Sequence, residues 1–148
     1  MQKAYKLSIL YYLAFSLLLI ASAVMLFEHK IGFSFNGVLE YYVGSEEKFI
    51  SSKSLGGILK VLLPHIFVFG LLSMVLLHFV VFTEHRYKKS TIILIYLTFI
   101  TAALEMFTPF LIVSGFEFFA YIKLLSFWLF LALVLYISWL LLYSITYD

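Results

Sequence analysis

The chain contains four apolar runs that are each long enough to cross a lipid bilayer as a helix. They cover about residues 4–27, 57–83, 91–113 and 118–145 of 148, and a membrane-spanning helix needs roughly 20 residues. A segment inside a bilayer must satisfy its own backbone hydrogen bonds, and runs this long without alternating polarity exclude β-barrel strands. We therefore predict an all-α polytopic membrane protein with four transmembrane helices in an antiparallel bundle.

The composition agrees with this class. Hydrophobic residues make up 64% of the chain and charged residues 12%, whereas soluble domains are about half apolar and a quarter charged. Residues 28–56 form the one long segment between spans. They are too few for a second domain, so residues 1–148 are expected to form a single transmembrane domain. Ser34 to Val43 mixes apolar and polar residues, which favours a short amphipathic helix that ends at Gly44 and packs on the bundle.

The positions of the basic residues predict the orientation. Arg86, Lys88 and Lys89 lie in the short connection between the second and third spans, and Lys3 and Lys6 fall on the same side. Short loops rich in lysine and arginine stay in the cytoplasm. We therefore expect both termini in the cytoplasm and residues 28–56 on the outer side.

Glu105 is a carboxylate inside the third apolar run, and His65 lies inside the second. An ionisable residue within a membrane usually marks a site, because burying it is costly. Each of the two lies about eight residues from the outer end of its span, which corresponds to about 12 Å of helix. The connection between these spans is short, so the helices should be antiparallel neighbours. The residues close in sequence offer Glu105 no better partner than His65, and we expect the two to meet directly, through water or through a ligand.

The third span carries a polar stripe around Glu105. Thr98, Thr101 and Thr108 fall on the same helical face as the carboxylate. Pro109 cannot donate a backbone hydrogen bond and leaves a carbonyl free one turn earlier. The stripe has two interpretations at this point: hydrogen bonds that hold helices together, or a ligand, ion or proton site formed by His65, Glu105, Thr101 and Thr108.

The histidines raise the hypothesis of a b-type haem. His65 and His78 are thirteen residues apart on one helix, or about 20 Å along its axis, so they cannot both bind the same iron. The second axial ligand would be His29, at the end of the first span, a methionine such as Met106, or a residue of a second subunit.

The outer loop provides a further set of candidate ligands. If it folds back, Glu46 and Glu47 could join His29 and His65 in a site for zinc, copper or iron. Aromatic rings near the ends of the spans are typical of interface belts, and a quinone pocket lined by some of them is the alternative. The loop residues of interest are Tyr41, Tyr42, Glu46 and Glu47.

Two stretches of the chain resemble a family of small, uncharacterised bacterial inner-membrane proteins with four spans. The first is Tyr41-Tyr42-Val43-Gly44-Ser45-Glu46-Glu47, and the second runs from Leu63-Pro64-His65 to Leu77-His78-Phe79. The resemblance covers about the first sixty per cent of the chain. It implies a Y-Y-x-G-x-E-E outer loop before a second span with histidines near both ends. Members often carry a second histidine near His65, where this chain has Leu63.

These features favour a small accessory or binding protein. The leading example is a subunit of a membrane redox assembly that binds haem b or quinone near the outer side. The alternatives are a transport or proton-relay component that uses Glu105 and His65, and a structural partner subunit without a ligand. The expected partners are the lipid bilayer and other membrane subunits or a second copy of the chain. No catalytic signature is present, and the net charge of +2 is spread over loops, so neither an enzyme nor a nucleic-acid-binding protein is indicated.

Overall fold

The computed structural model describes residues 3–147, and this part of the chain is helical with no β-strand. Four of its helices are long and apolar enough to span a membrane, which confirms the prediction of an all-α protein with four transmembrane helices. The elements are α1 (Lys3–Lys30), α2 (Phe35–Val43), α3 (Leu55–Val80), a 3-10 turn (Glu84–Tyr87), α4 (Lys89–Val113) and α5 (Phe119–Tyr147).

The bundle is organised around α5. This helix contacts α1, α2, α3 and α4, and its pairing with α4 is the most extensive. Phe130, Val134, Ile137 and Leu141 of α5 are almost completely buried in the main core. The connection between α4 and α5 is a tight turn at Gly115, which has a positive φ of 96°. We call the end of the bundle that carries this turn and α2 the α2 end, and the opposite end, with the 3-10 turn, the basic end.

The loop between α1 and α3 packs on the bundle, as expected from its apolar residues. Ser34 caps α2 by accepting a hydrogen bond from the amide of Gly37 at 3.0 Å, and Gly44, with φ of 92°, ends the helix. Val38 and Tyr42 are buried in a second cluster that includes Ile112 of α4. The helix predicted over Ser34 to Val43 is therefore present, and it covers one end of the bundle.

Helices α1 and α3 touch at the basic end and separate at the α2 end. Near the basic end the ring of Tyr12 packs edge-on against Phe79 at 5.6 Å, and Tyr5 packs against Phe82 at 5.0 Å. Towards the α2 end an apolar cleft lies between the two helices, lined by residues of both. His65 lies in this separated part of α3, so the divergence of α1 and α3 exposes it.

Candidate functional site: a buried ion pair beside connected cavities

Glu105 is buried, and its partner is a lysine. Glu105 is 4% exposed, and Lys123, on α5, is 6% exposed. The Lys123 ammonium forms an ion pair with one carboxylate oxygen of Glu105. Ser126, one turn further along α5, donates a hydrogen bond of 3.0 Å to the other oxygen. Both carboxylate oxygens therefore have a partner, which offsets much of the cost of burying the charge.

Pro109 gives the lysine a second acceptor. A proline at position 109 has no amide hydrogen to donate to the carbonyl of Glu105, four residues earlier. This freed carbonyl accepts a 2.7 Å hydrogen bond from the ammonium of Lys123. The lysine thus binds both the side chain and the backbone of Glu105 and joins α4 to α5 next to the turn that connects them. The carbonyl that the sequence predicted to be free is used in this way.

Lys123 is the residue that the sequence analysis missed, and the expectation that no better partner than His65 exists for Glu105 was wrong. The signal was present: Lys123 is a basic residue five positions after the predicted start of the fourth span, and the connection from the third span is short. Its distance from the predicted boundary was small enough for it to pass as an ordinary charge near the membrane surface. The tertiary packing of α4 on α5 turns it into the counter-ion.

Tyr42 of α2 closes the same site from the end of the bundle. It lines a cavity of about 60 Å³, which we call the inner cavity, together with Glu105 and Lys123. Burial raises the pKa of the Tyr42 hydroxyl well above its usual range, and the charge of Glu105 and the neighbouring Tyr41 raise it further. The phenol therefore stays protonated and can donate a hydrogen bond towards the site.

His65 lines the inner cavity as well, but its side chain is exposed. Its Nδ1 lies 2.6 Å from the carbonyl oxygen of Val61, which can only accept, so Nδ1 is the donor. Nε2 is then the ring atom left for a ligand, as an acceptor in the neutral ring and as a donor in the charged one. The structure thus brings Glu105 and His65 to one cavity, while the direct contacts of Glu105 are with Lys123 and Ser126.

Three cavities border on His65. The inner cavity adjoins a second of about 110 Å³, the vestibule, and both adjoin the lateral cleft of about 220 Å³ between α1 and α3. His65 and Phe69 line all three. The vestibule is lined by Ala23, Leu26, Phe27, Lys30, Ile31, Tyr41, Val61, His65, Phe69, Glu105 and Phe127. The lateral cleft is lined by Leu19, Ser22, Ala23, Leu26, Pro64, His65, Val68 and Phe69.

A family profile described as a transmembrane helical domain matches residues 32–148, which include α2 to α5. The chain belongs to this family of transmembrane helical domains. No curated protein and no solved structure matches the chain. The match and the resemblance to small membrane proteins agree that the chain is a transmembrane helical protein. The Y-Y-x-G-x-E-E loop and the histidines of that resemblance remain predictions. Apart from residues of α1 and Ile31, the matched segment contains all of the residues of the site described above.

In this member of the family, the threonines of the polar stripe bond within α4. Thr98 donates to the carbonyl of Leu94 at 2.7 Å, and Thr101 donates to that of Leu97 at 2.8 Å. Thr108 lies 3.5 Å from the carbonyl of Glu105. All three are buried, but their hydrogen bonds are satisfied locally, so Thr98 and Thr101 are explained by the structural interpretation of the stripe.

The other haem and metal candidates lie apart from the inner cavity, with one exception. Met106 lines this cavity with His65, whereas His78 lies near the basic end of α3 and His29 is exposed at the end of α1. Glu46 and Glu47 are exposed in the turn after α2. Among residues 3–147 no group of three His, Cys, Asp or Glu side chains could hold a metal ion. The outer-face metal site suggested by the sequence is therefore not formed.

Proposed function

We propose that the protein is a small membrane subunit that binds a membrane-dissolved amphiphile, with a polar group beside His65 and Glu105 and an apolar tail in the lateral cleft. The observation that carries this proposal is that the lateral cleft and the inner cavity both border on His65. The cleft between α1 and α3 is apolar, and the inner cavity is lined by the buried Glu105–Lys123 pair. An amphiphile likewise has an apolar tail followed by a polar group.

The polarity of the three cavities supports an amphiphile rather than a fully polar ligand. The cleft is lined almost entirely by aliphatic and aromatic side chains, which favour an apolar chain by about 25 cal/mol per Å² of buried surface. The inner cavity offers donors in the Lys123 ammonium and the Tyr42 phenol. A ligand with one oxygen-bearing group and one flexible tail would satisfy both regions.

The sizes of the cavities favour such a ligand over haem. The inner cavity and the vestibule are about 60 and 110 Å³, well below the roughly 300–1,000 Å³ of pockets for drug-sized ligands. The rigid haem macrocycle does not fit either of them, whereas a small polar group with its tail in the cleft would fit. A quinone is a redox-active amphiphile. The hypothesis of a subunit of a redox assembly is therefore kept with a quinone as the ligand.

Proton relay by Glu105 is the second candidate, and the local hydrogen bonds of α4 count against it. A relay across the membrane would need exchangeable groups that continue from Glu105 towards the basic end. On that side the buried hydroxyls of Thr98, Thr101 and Ser138 each donate to a carbonyl of their own helix. The inner cavity and the vestibule lie between Glu105 and the α2 end, which fits a binding site better than a relay across the membrane.

Filling the cleft should remove the ligand. In Ala23→Trp an indole would occupy the junction of the cleft and the vestibule, which Ala23 lines. We expect the unaltered protein, purified in mild detergent, to carry about one extractable amphiphile per chain, and the variant to carry less than a tenth of that amount. Mass spectrometry of the organic extract measures both, and an absorption spectrum of the same sample, oxidised and reduced, reports quinone or haem.

Ala14→Trp provides the matched control, because Ala14 lies on the exposed face of α1 and lines none of these cavities. It should retain the ligand. Equal ligand content in the two tryptophan variants, or no stoichiometric amphiphile in the unaltered protein, would refute the proposal.

We further propose that the α2 end faces outward in a bacterial inner membrane, with both termini in the cytoplasm, since the short connection at residues 84–89 is basic. The chain has no cysteine, so single cysteines can be placed freely. Ser51→Cys should react with an impermeant maleimide added to intact cells, and Ser90→Cys should react after the membrane is opened. The reverse labelling pattern would invert the assigned orientation.

A further inference from the structure

A fourth cavity lies where the passage reaches the surface at the α2 end. This cavity, the rim pocket, has a volume of about 150 Å³ and is lined by Lys30, Tyr41, Lys53 and residues of α2. Lys30 and Tyr41 also line the vestibule. The rim pocket, the vestibule and the lateral cleft share lining residues pairwise, so they follow one another from the protein surface, past His65, to the lipid-facing side. We call this series of cavities the passage.

The charges at the rim are unbalanced. Glu40 lines the rim pocket, but its carboxylate is paired with Lys48 at 2.7 Å. An ion pair requires a carboxylate oxygen within 4.0 Å of the ammonium nitrogen. Within residues 3–147, neither Lys30 nor Lys53 has such a partner. Two lysines that line the pocket are therefore not neutralised by a carboxylate, and a positively charged pocket is the complement of an anion.

Lys53 is held in place at the pocket. Its backbone amide donates to the carbonyl of Tyr42 at 2.9 Å, and its ammonium lies 4.3 Å from the centre of the Tyr41 ring. A cation over an aromatic face is stabilised by the ring quadrupole and restricted in its motion. One of the two charges is thus positioned in advance, beside a tyrosine that also lines the vestibule.

We propose that the rim pocket binds the phosphate of an anionic lipid, whose neutral linkage passes His65 in the vestibule and whose tail occupies the lateral cleft. This inference rests on the proposed function and names its ligand class. Ammonium groups attract phosphate oxygens as point charges, and lysines next to a bilayer add about 1 kcal/mol each to the binding of anionic lipid, which is about fivefold. The passage presents charge, polarity and apolar surface in the order found along a phospholipid.

Native mass spectrometry of the full chain in neutral detergent tests this inference. The probes are phosphatidic acid, phosphatidylglycerol, phosphatidylcholine and diacylglycerol with the same acyl chains. We expect the two anionic lipids to bind more tightly than phosphatidylcholine and diacylglycerol. In Lys30→Gln/Lys53→Gln their affinity should fall by about 25-fold, from fivefold per lysine, while diacylglycerol binding is unchanged.

Lys60→Gln is the control, since this exposed lysine is near the same end of the bundle but does not line the rim pocket or the vestibule. It should leave the preference for anionic lipids intact. An equal loss in Lys60→Gln, or no preference among the four lipids, would overturn the inference. Displacement of bound lipid by millimolar inorganic phosphate would assign the pocket to a free anion and would overturn it too.

The two proposals fail in different ways. If Ala23→Trp abolishes binding of diacylglycerol or a quinone but the double lysine variant binds every probe normally, the amphiphile site stands and the phosphate assignment is refuted. If Ala23→Trp leaves all of the lipids bound, the proposed passage itself is refuted.

Discussion

Replacing Lys123 with methionine is expected to destabilise the protein by about 3–5 kcal/mol, the cost of removing one partner from a buried ion pair. The change leaves the carboxylate of Glu105 without its counter-ion at a position that is 4% exposed. It also removes the 2.7 Å hydrogen bond to the carbonyl that Pro109 leaves free. Methionine has a similar length and is apolar, so the effect reports lost electrostatics more than lost volume. Unfolding in mild detergent, followed by circular dichroism, measures the change.

The double variant Glu105→Leu/Lys123→Met provides the control. Replacement of a whole buried pair by apolar residues is often neutral or stabilising, so the double variant should regain most of the stability that Lys123→Met loses. Glu105→Leu alone should also be destabilising, because it leaves a buried ammonium unpaired. The assignment of Glu105 and Lys123 as an energetically coupled pair would be contradicted by either of two results. One is a loss of unfolding free energy in the double variant equal to the sum of the two single losses, and the other is a loss below about 1 kcal/mol in Lys123→Met.

Gly37→Ala is expected to detach α2 from the bundle, although alanine is normally the better helix residue by about 1 kcal/mol. A Cβ atom at position 37 would lie 2.3 Å from the backbone carbonyl oxygen of Ile31. A backbone atom cannot move aside cheaply, so α2 or the end of α1 must shift, and Tyr42 would leave its buried position. We expect a loss of about 1–3 kcal/mol, the usual cost of overpacking. Limited proteolysis should then cut within residues 33–43 much faster than in the unaltered protein.

Gly70→Ala is the matched substitution in α3. Within residues 3–147, no atom beyond the adjacent residues and the nearby backbone of its own helix lies within 4 Å of a Cβ built at this position. Alanine should therefore be neutral or stabilising by about 0.5–1 kcal/mol. Similar proteolysis of both variants and the unaltered protein would show that α2 does not depend on the close approach at Gly37.

Much of the fold follows from local patterns that the sequence displays directly. The four spans are long apolar runs, and the bilayer requires their backbones to be helical whatever their neighbours are. The helix α2 begins at a serine that caps it and ends at a glycine in the left-handed region. Such signals act within a few residues, so they can be identified without knowing the tertiary structure. The depth of Glu105 and its burial follow from the same argument.

The partners of Glu105 were decided by packing. His65 was chosen from matched depth on neighbouring spans, but the rotation of α3 about its axis leaves this side chain exposed beside α1. The stronger contact comes from α5, which packs on α4 more extensively than α3 does. The rotation of each helix about its axis and its choice of neighbouring helices depend on how side chains from several helices interlock. All four spans are hydrophobic runs, so the sequence of any one span does not determine either property.

The sequence alone determined that this chain is a four-span membrane protein with a capped loop helix and an ionisable residue within a span, because bilayer thickness and local hydrogen bonding act on each segment separately. The tertiary structure decided that Glu105 meets Lys123 and Ser126, that Tyr42 closes the inner cavity, and that α1 and α3 diverge at His65. These features each require side chains from two or more helices to share one volume. Their positions are therefore fixed by the packing of the whole bundle, which no single segment encodes.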